Sequence, residues 1–575
     1  MHYYKKDYPR PQLVRENFTL LDGEWDFAFD RPEFTGTKIR VPFTFETGLS
    51  GIGDETPHNS VWYKKEVKVS KPADGKRLIL HFEGVDHEAF VYVNGKMIGS
   101  HKGGYSRFSF DITEYITEGL NEIKVNATDE LDPAMPRGKQ RWIEENFGCW
   151  YVQTTGIWKS VWMEEVGDTY VKELKITPDR DNGCAFVSVG TNLPAKDGGL
   201  RAKAKVYFEG KEVTSLESDI TKEADTLRLS LFNTRICEWG LREWAPDHPD
   251  LYDVEIELVK DGKSVDKVYS YFGLRDIRID GDKVLLNGEP LYQRLILDQG
   301  YFKDSHLTPP SEEALIKDID SILALGYNGV RKHQKTEDER FLYWCDVKGV
   351  LVWSEMAAAY TFSDEAVSEF TKEWIEIVRQ NYSHPCIVTW TPFNESWGIR
   401  EVKRDRRQQA FTESIYHLTK AIDPMRPVIV NDGWEHTVSD IITLHDYEEK
   451  GEVLYKRYTE YKDDILSNRV YHSKFRSAFA YGYKYDGKPV IISEFGGIAF
   501  NEEGGWGYGN KVANEEDFLK RFDSITTAIK KLDYVCGYCY TQVSDVQQEI
   551  NGLLTEDRRF KIDPAKIKEI NIREV

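Results

Sequence analysis

The sequence predicts a multidomain protein: an N-terminal jelly-roll-like β-sandwich, an immunoglobulin-like β-sandwich and a C-terminal (β/α)8 barrel of the TIM type. Three observations predict it. At 575 residues the chain is too long for a single core. Its first half alternates apolar and polar residues with period two and breaks at turn signals, the pattern of half-buried strands. Beyond about residue 275, strand-like and helix-like stretches alternate, the pattern of a parallel sheet with crossover helices.

Residues 1–166 make the first unit. Trp25 to Phe29, Arg77 to Phe82, Ala89 to Val93 and Glu122 to Asn126 each read as a strand, and Asn94-Gly95 reads as a hairpin turn. Gly156-Ile157-Trp158 leads into the last strand, Ser160 to Met163. Residues 167–274 make the second unit, with strands such as Val171 to Ile176, Ala185 to Val189, Lys203 to Phe208 and Leu251 to Leu258. About seven strands in roughly a hundred residues, with no Cys-Trp-Cys pattern, describe an immunoglobulin-like sandwich without its disulfide.

Residues 275–575 carry the barrel. Eight stretches read as its strands: Pro290 to Leu295, Gly329 to His333, Val350 to Glu355, Ile387 to Phe393, Pro427 to Asn431, Ile441 to His445, Val490 to Glu494 and Val535 to Thr541. Amphipathic stretches between them, among them Ser311 to Ala324, Asp364 to Gln380, Arg406 to Ala421 and Glu515 to Lys531, read as helices. Residues 448–486 have no clean period, and a connection of that length is a functional lid or a disordered insertion.

Composition narrows the function. Acidic residues outnumber Lys and Arg by 97 to 76, a formal charge of −21, which argues against a nucleic-acid or anionic-membrane partner. The N-terminus lacks the apolar run of a signal peptide and no stretch is long enough for a membrane span, so the expected location is cytoplasmic. The 7 cysteines are scattered and odd in number, as expected of reduced thiols. Cys536-Gly537-Tyr538-Cys539 has redox or zinc spacing, but without a second pair it reads as part of a buried strand. Aromatic residues reach 13%, a weak tilt toward carbohydrate, whose faces stack on rings.

Two predicted barrel strands end on a single glutamate followed by turn residues, in Asn394-Glu395-Ser396 and Ser493-Glu494-Phe495-Gly496-Gly497. Barrel enzymes keep their chemistry where strands run out. Two acids there, on the fourth and seventh strands, suit glycoside hydrolysis: one carboxyl protonates the leaving oxygen while the other attacks or activates water.

These two motifs, the Gly156-Ile157-Trp158 strand entry and the domain order resemble glycoside hydrolase family 2, the family of β-galactosidases, β-glucuronidases and β-mannosidases. The resemblance covers nearly the whole chain. It implies that Glu395 is the general acid/base and Glu494 the nucleophile of a retaining hydrolase working through a covalent glycosyl-enzyme. It also implies that Asn394 hydrogen-bonds the sugar 2-hydroxyl and that Tyr447 steadies the nucleophile. Further residues are candidates for lining the same mouth and binding substrate. Asp298, Arg331, His333, Asn431, Trp434, His445 and Gln542 come from barrel strand ends, Trp506 from a glycine-rich loop after the seventh strand, and Trp150 from a first-domain loop of the kind that reaches the active site in this family.

Departures from the family pattern bear on the sugar. Where β-glucuronidases carry an Asn-x-Lys whose lysine grips the uronate, this chain has Glu549-Ile550-Asn551. The expected substrate is therefore a small glycoside or oligosaccharide with a neutral, β-galactoside-like terminal sugar. Glu355-Met356-Ala357 lacks the histidine that ligates magnesium in large β-galactosidases, so no metal and no cofactor is expected. A β-glucuronidase, a furanosidase or pentosidase, and a catalytically silent carbohydrate-binding protein stay open as alternatives, as do monomer and homo-oligomer.

Overall fold

The computed structural model describes residues 3–192, 199–232, 240–501 and 504–575. The first domain is a sandwich. One sheet orders its strands Phe18–Leu20, Val161–Gly167, Lys76–Phe82, Phe108–Asp111; the other runs Lys38–Val41, Gly23–Phe29, Ser60–Val69, Gly119–Thr128, Glu88–Val93, Lys96–Lys102. Leu80 and Phe82 of the first sheet share one core with Val61, Tyr63 and Val91 of the second. The second domain sets a three-stranded sheet (Val171–Asp179, Cys184–Thr191, Ala224–Ser230) against a four-stranded one (Lys211–Asp219, Leu200–Phe208, Tyr252–Lys260, Lys263–Phe272). Among the described residues every cysteine is free.

The barrel strands are β1 (Gln293–Asp298), β2 (Gly329–Lys332), β3 (Leu351–Glu355), β4 (Ile387–Thr391), β5 (Asn431–Asp432), β6 (Ile442–His445), β7 (Val490–Gly496) and β8 (Val535–Thr541). Seven of them form one parallel sheet in the order β4-β3-β2-β1-β8-β7-β6. Strand five is shorter than the sequence suggests: its regular ladder pairs with Phe393–Asn394 just beyond β4, and a single parallel bridge joins Val428 to Trp390. The reason lies in its backbone donors. Val428, Val430 and Gly433 give their N–H groups to side chains, Asp440 Oδ2 at 2.9 Å, Ser439 Oγ at 3.2 Å and Thr443 Oγ1 at 3.0 Å, instead of to a β6 ladder.

The principal helices are α1 (Glu312–Ala324), α2 (Glu339–Lys348), α3 (Asp364–Asn381), α4 (Arg406–Ile422), α5 (Gly451–Glu460), α6 (Lys462–Leu466), α7 (Glu515–Lys530) and α8 (Pro564–Ile572). Ser311, Ser363 and Asn514 cap α1, α3 and α7, each side chain accepting a backbone N–H in the first turn. The 448–486 connection holds α5 and α6, and its later part turns back over the strand ends. No helix among the described residues is long and apolar enough to cross a membrane.

The first domain is fastened to the barrel mouth. Lys159 Nζ donates to the carbonyls of Thr336 and Glu337 at 3.0 and 3.2 Å. The backbone N–H groups of Arg137 and Gly138 both reach the Ala358 carbonyl at 3.0 Å. A sandwich loop is thereby held at the C-terminal rim of the strands, where barrel chemistry is done.

Candidate active site

Glu395 follows β4 in a turn that few residues adopt: φ is 51° at Glu395 and 58° at Ser396. Asn431 braces it. Its Oδ1 accepts from Ser396 N at 3.0 Å, while its Nδ2 donates to Ser396 Oγ at 3.0 Å and the Trp434 carbonyl at 2.8 Å. The Glu395 N–H itself donates to the Asp432 carbonyl at 2.9 Å. The sequence placed Asn431 at the substrate; the structure commits its side chain to aiming the acid.

Glu494 lies within β7, 4% exposed, and each oxygen has a donor. Arg331 Nη1 reaches Oε1 at 2.9 Å and the Tyr447 hydroxyl reaches Oε2 at 2.6 Å. Tyr447 is itself clamped: its ring lies flat on Tyr508, centroids 3.4 Å apart, and its oxygen is 3.0 Å from Thr541 Oγ1. One oxygen of Glu395, one of Glu494 and a ring nitrogen of His445 all lie within 4.8 Å of one another. Residues ninety-nine positions apart thus face each other across the strand ends.

Arg331 is the hub, wholly buried on β2. Besides Glu494 it contacts Glu355 Oε2 at 2.7 Å, Asp432 Oδ2 at 2.6 Å, Asn394 Oδ1 at 2.7 Å and His333 Nδ1 at 3.1 Å. Burial, working against Arg331, lifts the Glu355 carboxyl to about 7. Burial, with the charges of Lys139 and Arg331, keeps His333 neutral, its value well below the usual imidazole range. Its Nδ1 lies between Arg331 Nη2 at 3.1 Å and Glu355 Oε1 at 3.0 Å. Asn394 uses its oxygen on Arg331, which leaves Nδ2 buried without a hydrogen-bond partner among the described residues.

His445 ends β6 between two acids: Nε2 is 2.9 Å from Asp432 Oδ2, and Nδ1 is 2.9 Å from Glu395 Oε1 and 3.4 Å from Glu494 Oε2. Burial opposes its charge, but Glu494 and Asp432, then the bonds to Asp432 and Glu395, raise it to about 10. Burial would raise Glu395, yet the His445 hydrogen bond and charge outweigh it and hold the carboxyl below its ordinary value. The two shifts run in opposite directions, His445 up and Glu395 down, as expected of a hydrogen-bonded ion pair.

A cavity of about 810 Å³ opens beside Glu395 and His445. Trp434, Tyr447 and Tyr508 line it from the barrel, and Tyr471, His472, Lys474 and Arg476 line it from the 448–486 connection. Trp434 presents an unpaired buried Nε1 among the described residues and carries the Arg476 guanidinium 4.6 Å over its ring.

Other expected residues are placed differently. Both Asp298 oxygens are taken, Oδ2 by Lys332 Nζ at 2.6 Å and Oδ1 by Gly300 N at 2.8 Å, so it serves a buried ion-pair cluster. Gln542 bonds Asn551 at 2.7 Å and Gln299 at 2.8 Å. Trp506 donates to the Gly148 carbonyl at 3.0 Å, tying its loop to the first domain. Trp150 packs edge-on to Trp397 and Tyr360, ring centroids 5.3 Å away in each case. Glu549 accepts from Asn551 Nδ2 at 3.0 Å, Gln299 Nε2 at 3.2 Å and the Tyr151 hydroxyl.

Sequence reasoning missed Lys139, a first-domain lysine 8% exposed whose hydrogen-bond partner is Cys149 Sγ at 3.2 Å. Burial works against its charge, and the neighbouring Cys149, Tyr360, Glu549 and Glu395 raise its value. No periodicity or motif marks it. Only the docking of the sandwich loop brings it near the acids.

Comparison with known proteins gives a consistent family. Three family models match: "Glycosyl hydrolases family 2, sugar binding domain" over residues 17–165, "Glycosyl hydrolases family 2" over 169–275, and "Glycosyl hydrolases family 2, TIM barrel domain" over 277–572. A β-galactosidase of Thermoanaerobacter pseudethanolicus is 27% identical over 79% of this chain and 60% of its own length. A β-glucuronidase of Bacteroides fragilis is 27% identical over 75% of this chain and 63% of its own. The chain thus spans about three fifths of these relatives. A solved β-D-glucuronidase of Dictyoglomus thermophilum superposes with a TM-score of 0.78 at 20% identity, covering 99% of each chain. With all three domains matched in order and the barrel model spanning more than half of its length, the chain belongs to glycoside hydrolase family 2.

Proposed function

We propose that the protein is a retaining exo-β-glycosidase that removes a terminal sugar through a covalent glycosyl-enzyme, with Glu494 as nucleophile and Glu395 as acid/base. The observation that carries this reading is the approach of the two carboxylates to within 4.8 Å. Retaining hydrolysis works with carboxyls about 5 to 5.5 Å apart, whereas inversion needs roughly 6.5 to 9.5 Å to seat a water between them. Arg331 and Tyr447 would hold both oxygens of Glu494 in place for attack, and the Asn394 Nδ2 would meet the sugar 2-hydroxyl as positive charge develops at the anomeric carbon. Stacking on Trp434 or Tyr508 would hold the substrate in the cavity.

The test is direct. Glu494→Ala should abolish hydrolysis of aryl β-glycosides, and azide should rescue it as the glycosyl azide of inverted configuration; wild-type turnover by that variant would end the assignment.

For the sugar, Glu549 in place of the uronate-gripping lysine favours a neutral residue of β-galactoside type. Lys139 favours a second reading, a uronide, because a buried ammonium with a thiol partner has donors to spare for a carboxylate. A panel of aryl galactosides, glucosides, glucuronides, galacturonides and furanosides, run on wild type and Lys139→Met, separates them. A selective loss of uronide hydrolysis in the variant supports the second reading; a preference for neutral sugars in wild type supports the first.

A further inference from the structure

Glu395 poses a chemical problem if it is the acid of this reaction: a general acid must begin with a proton, and its Oε1 lies 2.9 Å from a neighbouring imidazole nitrogen that can carry one. The geometry around that neighbour is specific. His445 bridges Asp432 and Glu395 at 2.9 Å on either side, with Glu494 Oε2 3.4 Å from the same Nδ1 that serves Glu395. Room for the ring depends on Gly433, whose φ is 101° and where a Cβ would stand 2.6 Å from imidazole atoms. Among the described residues the other charged groups facing this arrangement include Arg331 on β2, 2.6 Å from Asp432, the buried Lys139, and, around the cavity, Asp446, Glu448, Arg457, Lys474 and Arg476. His333, His436 and His472 stay neutral, each lowered first by burial.

We propose that the Asp432–His445 pair is a proton store for Glu395: His445 Nδ1 supplies the proton that Glu395 passes to the leaving oxygen and recovers it, through Glu395, from the attacking water. The inference rests on the reading of Glu395 as acid/base. The protons balance. In the first half-reaction the C1–O bond breaks, the C1–Oε bond to Glu494 forms, the leaving oxygen gains one proton and His445 ends neutral. In the second, water loses one proton to Glu395 and on to His445, its oxygen bonds C1, and Glu494 leaves as a carboxylate.

The covalent step itself drives the relay. While Glu494 is ionised, its charge 3.4 Å from Nδ1 favours the imidazolium; as an ester it is neutral, and that support is gone. The store empties when the leaving group needs a proton and refills when Glu494 regains its charge. His445 acts through Glu395 and is in that sense a positioning residue.

The experiment follows kcat/KM against pH for wild type and His445→Gln, on aryl glycosides with poor and good leaving groups. The expected loss is about 10²- to 10³-fold on the poor leaving group and less than about 10-fold on a dinitrophenolate, which departs without a proton. The basic limb of the profile should fall by more than about one pH unit. Equal losses on both substrates with an unmoved limb would overturn the relay. Glu395→Gln is the control for the parent reading: losses independent of leaving group in that variant would defeat the acid/base assignment itself, whatever His445 does. A second measurement needs no variant. In wild type labelled with 15N-histidine and trapped with a 2-deoxy-2-fluoro glycoside, one imidazolium should become neutral; unchanged histidine signals would also overturn the proposal.

Discussion

Arg331 donates from Nη1 to Glu494 Oε1 at 2.9 Å, with no part of the arginine side chain open to water. The same guanidinium serves Glu355 and Asp432, so one buried cation holds three acids from three strands in place. Removing it as Arg331→Ala leaves those acids uncompensated and should destabilise the fold by about 3 to 5 kcal/mol. Arg331→Lys keeps the charge and loses the planar fork, so activity should drop by about 100-fold or more with a smaller loss of Tm. Thermal melts and kinetics on the two variants check this; wild-type turnover by the lysine variant would contradict the hub.

Tyr447→Phe removes one hydrogen bond to Glu494 and keeps the ring stacked on Tyr508. We expect kcat/KM to fall about 10- to 100-fold while stability changes by about 1 kcal/mol, since one hydrogen bond is lost but no packing is. Steady-state kinetics beside a urea melt separates the two effects. A large loss of stability would show that the hydroxyl mainly serves the fold.

Asn431→Ala tests the brace under the acid. Without it the Glu395–Ser396 turn, left-handed at both residues, loses two hydrogen bonds and the Trp434 carbonyl a third. The expected result is a loss of about 1 to 3 kcal/mol in stability and a fall in kcat with KM little changed. If KM rises instead and kcat holds, Asn431 touches the sugar after all.

His445 should leave a pH signature on stability. Its value rises from an ordinary 6.5 to about 10 on folding, so the folded state binds its proton more tightly than the unfolded chain. The resulting stabilisation is present in full below pH 6.5 and is lost as the pH climbs through about 10. The stability difference between wild type and His445→Gln should therefore shrink from pH 6 to pH 10 in urea titrations. A difference constant across that range would show that the imidazole is not charged in the fold.

Much of this protein is legible along the chain. Period-two alternation marked the sandwich strands, and the four helices named from amphipathic stretches stand within two residues of their expected ends. Strand five was overestimated because its apolar run hides a substitution: side chains of Asp440, Ser439 and Thr443 take the donors a neighbouring strand would take. Asp298 read as a free strand-end acid because nothing near it in sequence announces Lys332 as its partner.

The sequence by itself determined the order of three domains, the family, and a pair of glutamates at or just beyond the fourth and seventh barrel strands, because hydrophobic period and strand-end chemistry are local properties. Tertiary structure alone decided what those glutamates meet. The approach of Glu395 to Glu494, the imidazole of His445 between Asp432 and Glu395, and the arrival of Lys139 from another domain all follow from barrel closure and domain docking. The physical reason is that a side chain's charge state is set by burial and by its spatial neighbours, and those come from strands and loops far apart along the chain.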